Sequence, residues 1–261
     1  MNEFSDFGRA LLIYSFCIPR ILGALILLPV FSSQIVSGML RNGIAFNLAL
    51  FAYPLAAATA PGEGVNLVWG LAVMFKEMVL GLVIGFGAAV LFWAAESTGF
   101  FIDNQRGSTM ASSLDPLTGS QTSPLGNLLV QTLTVIFFVG GGFVIFLGLV
   151  YKSFLVWPIF SFFPGISEDG SLYFLGLLDK IVALAVLLAA PAIIAMFLSE
   201  FSLGLVSRFA PQLNVFFLSM PVKSGVAIFM LALYAGILLT QFGDELYEIA
   251  THFHMLEALL K

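Results

Sequence analysis

The sequence predicts an all-α integral membrane protein, and three observations carry that prediction. Hydrophobic residues make up 60% of the 261-residue chain and charged residues only 10%, whereas a soluble domain carries roughly 25% charged residues to coat its surface. Residues 21–40, 42–62, 78–95, 116–151, 181–199 and 224–243 contain no Lys, Arg, Asp or Glu. Most of these stretches approach the roughly 20 residues that cross about 30 Å of hydrocarbon as a helix. The apolar runs are continuous, in a chain with 28 Phe, without the in-out alternation of outer-membrane barrel strands.

Six long apolar segments follow in order, at about 10–31, 42–60, 65–95, 125–150, 172–199 and 212–243. Before the first, Glu3 and Asp6 precede Arg9 where a secretory signal needs a positive n-region, so this segment is expected to stay in the mature chain. Its Cys17 reads as a packing residue. The third and fifth segments are long and enclose the charge pairs Lys76-Glu77 and Asp179-Lys180, so each is one long tilted helix or a hairpin of two. Gly81 and Gly85 in the third form a GxxxG pattern that lets a neighbouring helix approach closely. In the fourth, Gly140, Gly141 and Gly142 would cost a continuous helix about 2–3 kcal/mol relative to alanine, which implies close packing, a hinge or local unwinding. Phe154, Trp157, Phe160, Phe162 and Phe163 then form either an interfacial belt or a subunit contact. Pro19, Pro29, Pro54, Pro191, Pro211 and Pro221 lie within or beside the segments, and each frees a backbone carbonyl, which predicts kinked or broken helices. From Asp244 to Lys261, Leu246, Ile249, Phe253, Leu256 and Leu260 form one apolar stripe of a short amphipathic C-terminal helix.

The net charge of −5, with no run of Lys or Arg, argues against nucleic acid or anionic headgroups as main partners. With the N-terminus inside, Arg9, Lys152 and Lys261 fall on one side and Arg41, Arg106, Arg208 and Lys223 on the other, so the positive-inside rule assigns no orientation. Lys76 and Glu96 share the 20-residue spacing of Lys180 and Glu200, which is either an internal duplication of the transporter type or coincidence.

Nothing points to catalysis, a cofactor or a metal. The histidines, His252 and His254, sit two apart in the tail, on different faces of a helix, and no HExxH, CxxC or phosphate-loop pattern occurs. Within the apolar segments Glu77, Glu96, Asp179 and Glu200, with Lys76 and Lys180, form either a proton or ion path or a set of structural pairs. Adjacent residues on a helix project about 100° apart, so Lys76 and Glu77 are expected to meet different partners.

The most informative stretch is polar. From Glu96 to Gly126, Gly, Ser, Thr and Pro supply 16 of 31 residues, too long for a routine connection. It reads as a solvated loop or as a re-entrant plug, which membranes allow only against protein or a wet cavity. Within it FIDNQRGSTMASSLDPLTGSQTSPLG, residues 101–126, and the later block SEFSLGLVSRFAPQLNVFFLSMPVKSG, residues 199–225, resemble the SctT (YscT, SpaR, HrcT) export-apparatus proteins of type III secretion injectisomes, relatives of the flagellar protein FliR. Asp103, Asn104, Gln105, Arg106, Gly107, Asp115, Pro116, Gln121 and Pro124 look like the injectisome branch, whereas Arg208, Pro211, Asn214, Phe216, Pro221 and Lys223 look common to both.

The resemblance implies a subunit of an inner-membrane export gate that joins SctR- and SctS-type subunits, with a SctU-type subunit at the entrance. Its bent hairpins would pack on one another, many of them above the membrane plane, around a conduit for unfolded effector and needle proteins. Residues 103–124, with Met110 among them, would help close that conduit. Lys76, Glu77, Glu96, Asp179, Lys180, Glu200, Arg208 and Lys223 would serve as intersubunit or structural charges. A flagellar gate subunit and an ion-coupled transporter are the alternatives.

Overall fold

The computed structural model describes residues 2–32, 35–60, 66–107, 123–162, 170–210, 212 and 214–259. Among the described residues seven α-helices follow in chain order: α1 Asn2–Leu27, α2 Gly38–Ala58, α3 Leu67–Arg106, α4 Pro124–Val139, α5 Gly142–Val156, α6 Gly170–Ser207 and α7 Val215–Leu259, with a short 3-10 turn at Pro29–Phe31. No strand occurs among the described residues, so the all-α membrane class holds.

The six segments all become helical, but six crossings are too many. Among the described residues four helices are long and apolar enough to cross a membrane, or up to five if α4 and α5 together make one broken span. Helix α2 is not among them; Asn42, Asn47 and Pro54 dilute its apolar run. The third and fifth segments are single helices, of 40 and 38 residues. At 1.5 Å per residue these run to about 60 Å, twice the hydrocarbon thickness. Helix α3 continues to Arg106, so residues 96–106 are helix and not part of a loop. The tail is likewise no separate short helix, because α7 is continuous over 45 residues.

Prolines divide between helix ends and interiors: Pro29 opens the 3-10 turn just after α1 and Pro124 begins α4, while Pro211 lies outside the described residues. Pro19, Pro54, Pro191 and Pro221 all lie inside helices, and the Tyr234 hydroxyl donates to the Leu188 carbonyl at 3.2 Å, one residue past the carbonyl that Pro191 leaves without an N–H partner. The triple glycine, by contrast, ends α4 and starts α5. Gly140 caps α4 through its N–H to Ile136 O at 2.7 Å, and Gly141 takes φ +77 as N-cap of α5, a conformation that glycine adopts without strain. Of the three sequence readings of this triplet, local unwinding is the one observed.

The chain divides into two compact units. In the first, Met1–Val90, Gly141–Leu177 and Leu246–Lys261, α2 presents Ala45, Ala49, Ala52 and Ala56 as a buried stripe, and the tyrosine hydroxyls of Tyr14 and Tyr151 donate to its Phe46 and Leu48 carbonyls. Helices α1 and α3 meet backbone to backbone. A Cβ on Gly85 would stand 2.5 Å from Ala24 O, one on Gly23 2.6 Å from Met78 O, and one on Gly81 would overlap the Arg20 carbonyl. The GxxxG expectation holds, with Gly23 as its partner.

In the second unit, Leu91–Gly140 and Leu178–Glu245, a Cβ on Gly99 would collide with the backbone at Leu125–Gly126, which brings the end of α3 against the start of α4. Phe92 meets Phe137 edge-on at 5.4 Å. Ile102, Ala189, Ala192, Met196 and Ala227 form a cluster with no exposed surface, flanked by Met230, Leu231 and Tyr234. It joins α3, α6 and α7.

Gly81→Leu should lower the melting temperature of the full chain in detergent and its yield in membranes, because overpacking a filled interface costs about 1–3 kcal/mol or more. The same substitution at Gly43, where nothing lies within 4 Å, should leave both near wild type.

Candidate functional site

Two constellations of charged groups stand out, one in each unit. The first is centred on Arg20 and Glu77, both with 0% exposure. Arg20 follows Pro19 on α1 and is the sole charge between Arg9 and Arg41. Its Nε donates to Glu77 Oε2 at 2.6 Å and its Nη2 to Oε1 at 3.0 Å, a two-point geometry that only a guanidinium supplies. Nη1 donates to Ser153 Oγ at 3.2 Å, and Nη2 also reaches Trp157 O at 2.9 Å. The Phe154 ring lies 4.2 Å below the guanidinium carbon, a cation–π contact in a dry site.

Lys76 completes this knot. Its Nζ lies 2.9 Å from Glu77 Oε1 and donates to Ile159 O at 2.6 Å and Ser161 O at 2.8 Å. Lys76 and Glu77 therefore share contacts, contrary to the expectation from helix geometry, because the long lysine stem reaches back over its neighbour. Two cations face one carboxylate, and backbone carbonyls of residues 157–161 absorb the excess positive charge. Of the aromatic run, Phe154 is buried, and Phe160 stacks on Trp69 at 5.9 Å and meets Phe16 edge-on, so these two pack within the unit; Phe163 lies outside the described residues.

The second constellation sits at the ends of the polar segment. Asp103, 1% exposed, accepts through Oδ2 from Ser123 Oγ at 2.6 Å and from Leu125 N at 3.0 Å. Ser123 Oγ in turn accepts from Gly126 N at 3.0 Å, and Pro124 begins α4 at the position where a missing N–H costs least. A carboxylate one turn from the C-terminus of α3 faces the wrong end of that helix dipole; here the free N–H groups of α4 and Arg106 offset this. Arg106 Nε lies 2.7 Å from Asp103 Oδ1, a contact of charge without hydrogen-bond alignment. Gly107 ends α3 at φ +90, beside the Met220 side chain. Asp103 thus ties the start of the segment to its finish. Asn104, Gln105 and Arg106 are half-buried and Pro124 is exposed, while Met110, Asp115, Pro116 and Gln121 lie outside the described residues.

The remaining charges divide. Lys180 pairs with Glu245 at 2.6 Å and Lys223 with Glu200 at 3.2 Å. Asp179 is exposed and is not the partner that adjacency suggests; Glu96 and Arg208 are exposed too. The environments of Lys76–Glu96 and Lys180–Glu200 differ, so the equal spacing marks no repeated site. Sequence reasoning missed Arg20, Ser153 and Glu245. The lone arginine in the first apolar run was the available signal for Arg20.

These features define a class, a multi-pass helical membrane protein organised around buried ion pairs with a tethered polar segment at mid-chain. The chain belongs to the bacterial export proteins, family 1, which it matches over residues 11–249. It is 49% identical over 227 residues to the Yop proteins translocation protein T of Yersinia pestis, covering 87% of each chain. To the surface presentation of antigens protein SpaR of Salmonella typhimurium it is 35% identical over 208 residues, 79% of this chain and 76% of that one. The flagellar biosynthetic protein FliR of Bacillus subtilis is 30% identical over 233 residues, 88% of each.

Glu77→Ala should destabilise the full chain by about 3–5 kcal/mol, since it strands two cations; a melting curve in detergent should show Arg20→Met with Glu77→Leu restoring part of the loss. Asp103→Ala should cost about 1–2 kcal/mol through the lost cap and raise protease sensitivity between residues 103 and 124.

Proposed function

We propose that this chain is a non-enzymatic, multi-pass subunit of a type III secretion export apparatus in the bacterial inner membrane. The observation that carries the reading is the 49% identity to the Yop proteins translocation protein T across 87% of both chains. The flagellar reading is weaker on the same measure, at 30% and 25% identity to the two FliR relatives. In the finer reading, the whole chain, 1–261, is one membrane-embedded subunit of the export gate. It joins SctR- and SctS-type subunits, with a SctU-type subunit at the entrance, and unfolded effector and needle proteins pass through the shared conduit.

The surface of the helices supports a life among partners or lipid. Only 33% of the apolar window of α6 and 22% of that of α7 is buried, against 61% for α3, so these two helices keep apolar faces to offer. Of the four carboxylates an ion-coupled transporter would use, Glu77 is enclosed between two cations, whereas Glu96 and Asp179 are exposed. Residues 103–124 act as part of the conduit closure in this reading. The support is the Asp103 latch, which holds residues 103 and 123–125 at one place, together with the many Gly, Ser and Thr that the sequence carries between them.

Deleting residues 109–121 from the full-length protein, co-expressed with its apparatus, should raise leakage of small solutes across the inner membrane severalfold while the complex still co-purifies. Unchanged leakage in a normally assembled complex would falsify the closure role.

A further inference from the structure

The two outer ion pairs of the second unit have a pattern that neither pair shows alone. On α6 the cation Lys180 comes first and the anion Glu200 second; on α7 the cation Lys223 comes first and the anion Glu245 second. Lys180 meets Glu245 at 2.6 Å and Glu200 meets Lys223 at 3.2 Å. The two rungs are 20 residues apart on α6 and 22 on α7, so each helix runs about 30–33 Å between them. Between the rungs, residues 181–199 and 224–243 carry no charge. The neighbouring carboxylates Asp179 and Asp244 are exposed, whereas Lys180 is partly and Glu245 largely buried.

Between helices in lipid no hydrophobic drive favours one neighbour over another, so small residues that allow close approach and polar groups that pair set the choice. Charge is part of that choice here. In an antiparallel hairpin of this register, both rungs join opposite charges. Laying α7 parallel to α6, as a second copy or a sister helix could, would set Lys180 against Lys223 and Glu200 against Glu245, like charges at both ends. Slipping the hairpin by one turn would draw each rung apart and leave its members facing apolar side chains.

We propose that Lys180–Glu245 and Glu200–Lys223 form a charge code that fixes the register of the α6–α7 hairpin, whose antiparallel direction the short connection between the two helices already sets. The core between the rungs, with Ala192, Met196 and Ala227 fully buried, fills the space between them. This inference stands apart from the export reading, because it concerns how the hairpin closes and not what passes the membrane.

The test uses the full chain in inner-membrane vesicles with Cys17→Ala, so that Met196→Cys and Ala227→Cys can report the native register by disulfide cross-linking. Lys180→Glu with Lys223→Glu places like charges at both rungs and should cut cross-link yield about tenfold. Adding Glu200→Lys and Glu245→Lys restores opposite charges at both rungs and should return the yield to within about twofold of the parent. Asp179→Lys, at an exposed position beside the first rung, should change little. Yield unaffected by the double reversal would overturn the proposal, as would failure of the fourfold exchange to recover it. Should the doubly reversed chain not accumulate at all, recovery of accumulation by the fourfold exchange decides in the same way.

Discussion

The buried Arg20–Glu77 pair is the constraint around which the first unit is arranged. A fully desolvated guanidinium is tolerable only when every donor is met, and here a carboxylate, a hydroxyl, a carbonyl and a ring face meet it at once. Those partners come from α3, from α5 and from the turn after it. Satisfying one side chain therefore fixes three stretches of chain that lie far apart in sequence. Lys76 extends the demand to the carbonyls of residues 159 and 161, which gives the irregular segment after α5 a defined path. Such a pair adds little net stability over an apolar replacement, but it punishes any arrangement in which one member is left alone.

Close backbone approach is the complementary device. Gly23, Gly81 and Gly85 let α1 and α3 touch along their main chains, and that proximity is what brings Arg20 within reach of Glu77. Gly99 does the same for the end of α3 and the start of α4, where Asp103 then spans the short gap to Leu125 N. In both places a missing side chain creates the contact and a charged group exploits it. The ion pairs between α6 and α7 follow a different arrangement, with charges at the ends of long uncharged stretches and not at a central knot.

Particular residues show where sequence reasoning succeeds and where it stops. The uncharged stretches locate every helix, and Gly81-Gly85 correctly announces a tight crossing, because both signals are local or periodic. The count of crossings does not follow, since α2 is helical without being apolar enough to span. Proline guides helix ends unevenly: Pro29 follows the end of α1 and Pro124 begins α4, Pro19 and Pro191 sit inside continuous helices, and the break between α4 and α5 falls at Gly140–Gly141. The latch at Asp103 was legible only as a motif. Nothing in the spacing of residues 103 and 123 says that the two meet.

By itself the sequence determined the solvent class, the helical content, the polar interruption and, through the 101–126 block, the family. These follow from composition, period and local motif, which a linear chain carries in full. Which charge neutralises which was decided only by the tertiary structure. Lys180 chose Glu245 over adjacent Asp179, and Arg20, 57 residues from Glu77, became its main partner. The physical reason is that neighbours on a helix point apart, whereas low dielectric makes the nearest opposite charge across an interface decisive, and only the packed chain defines that nearness.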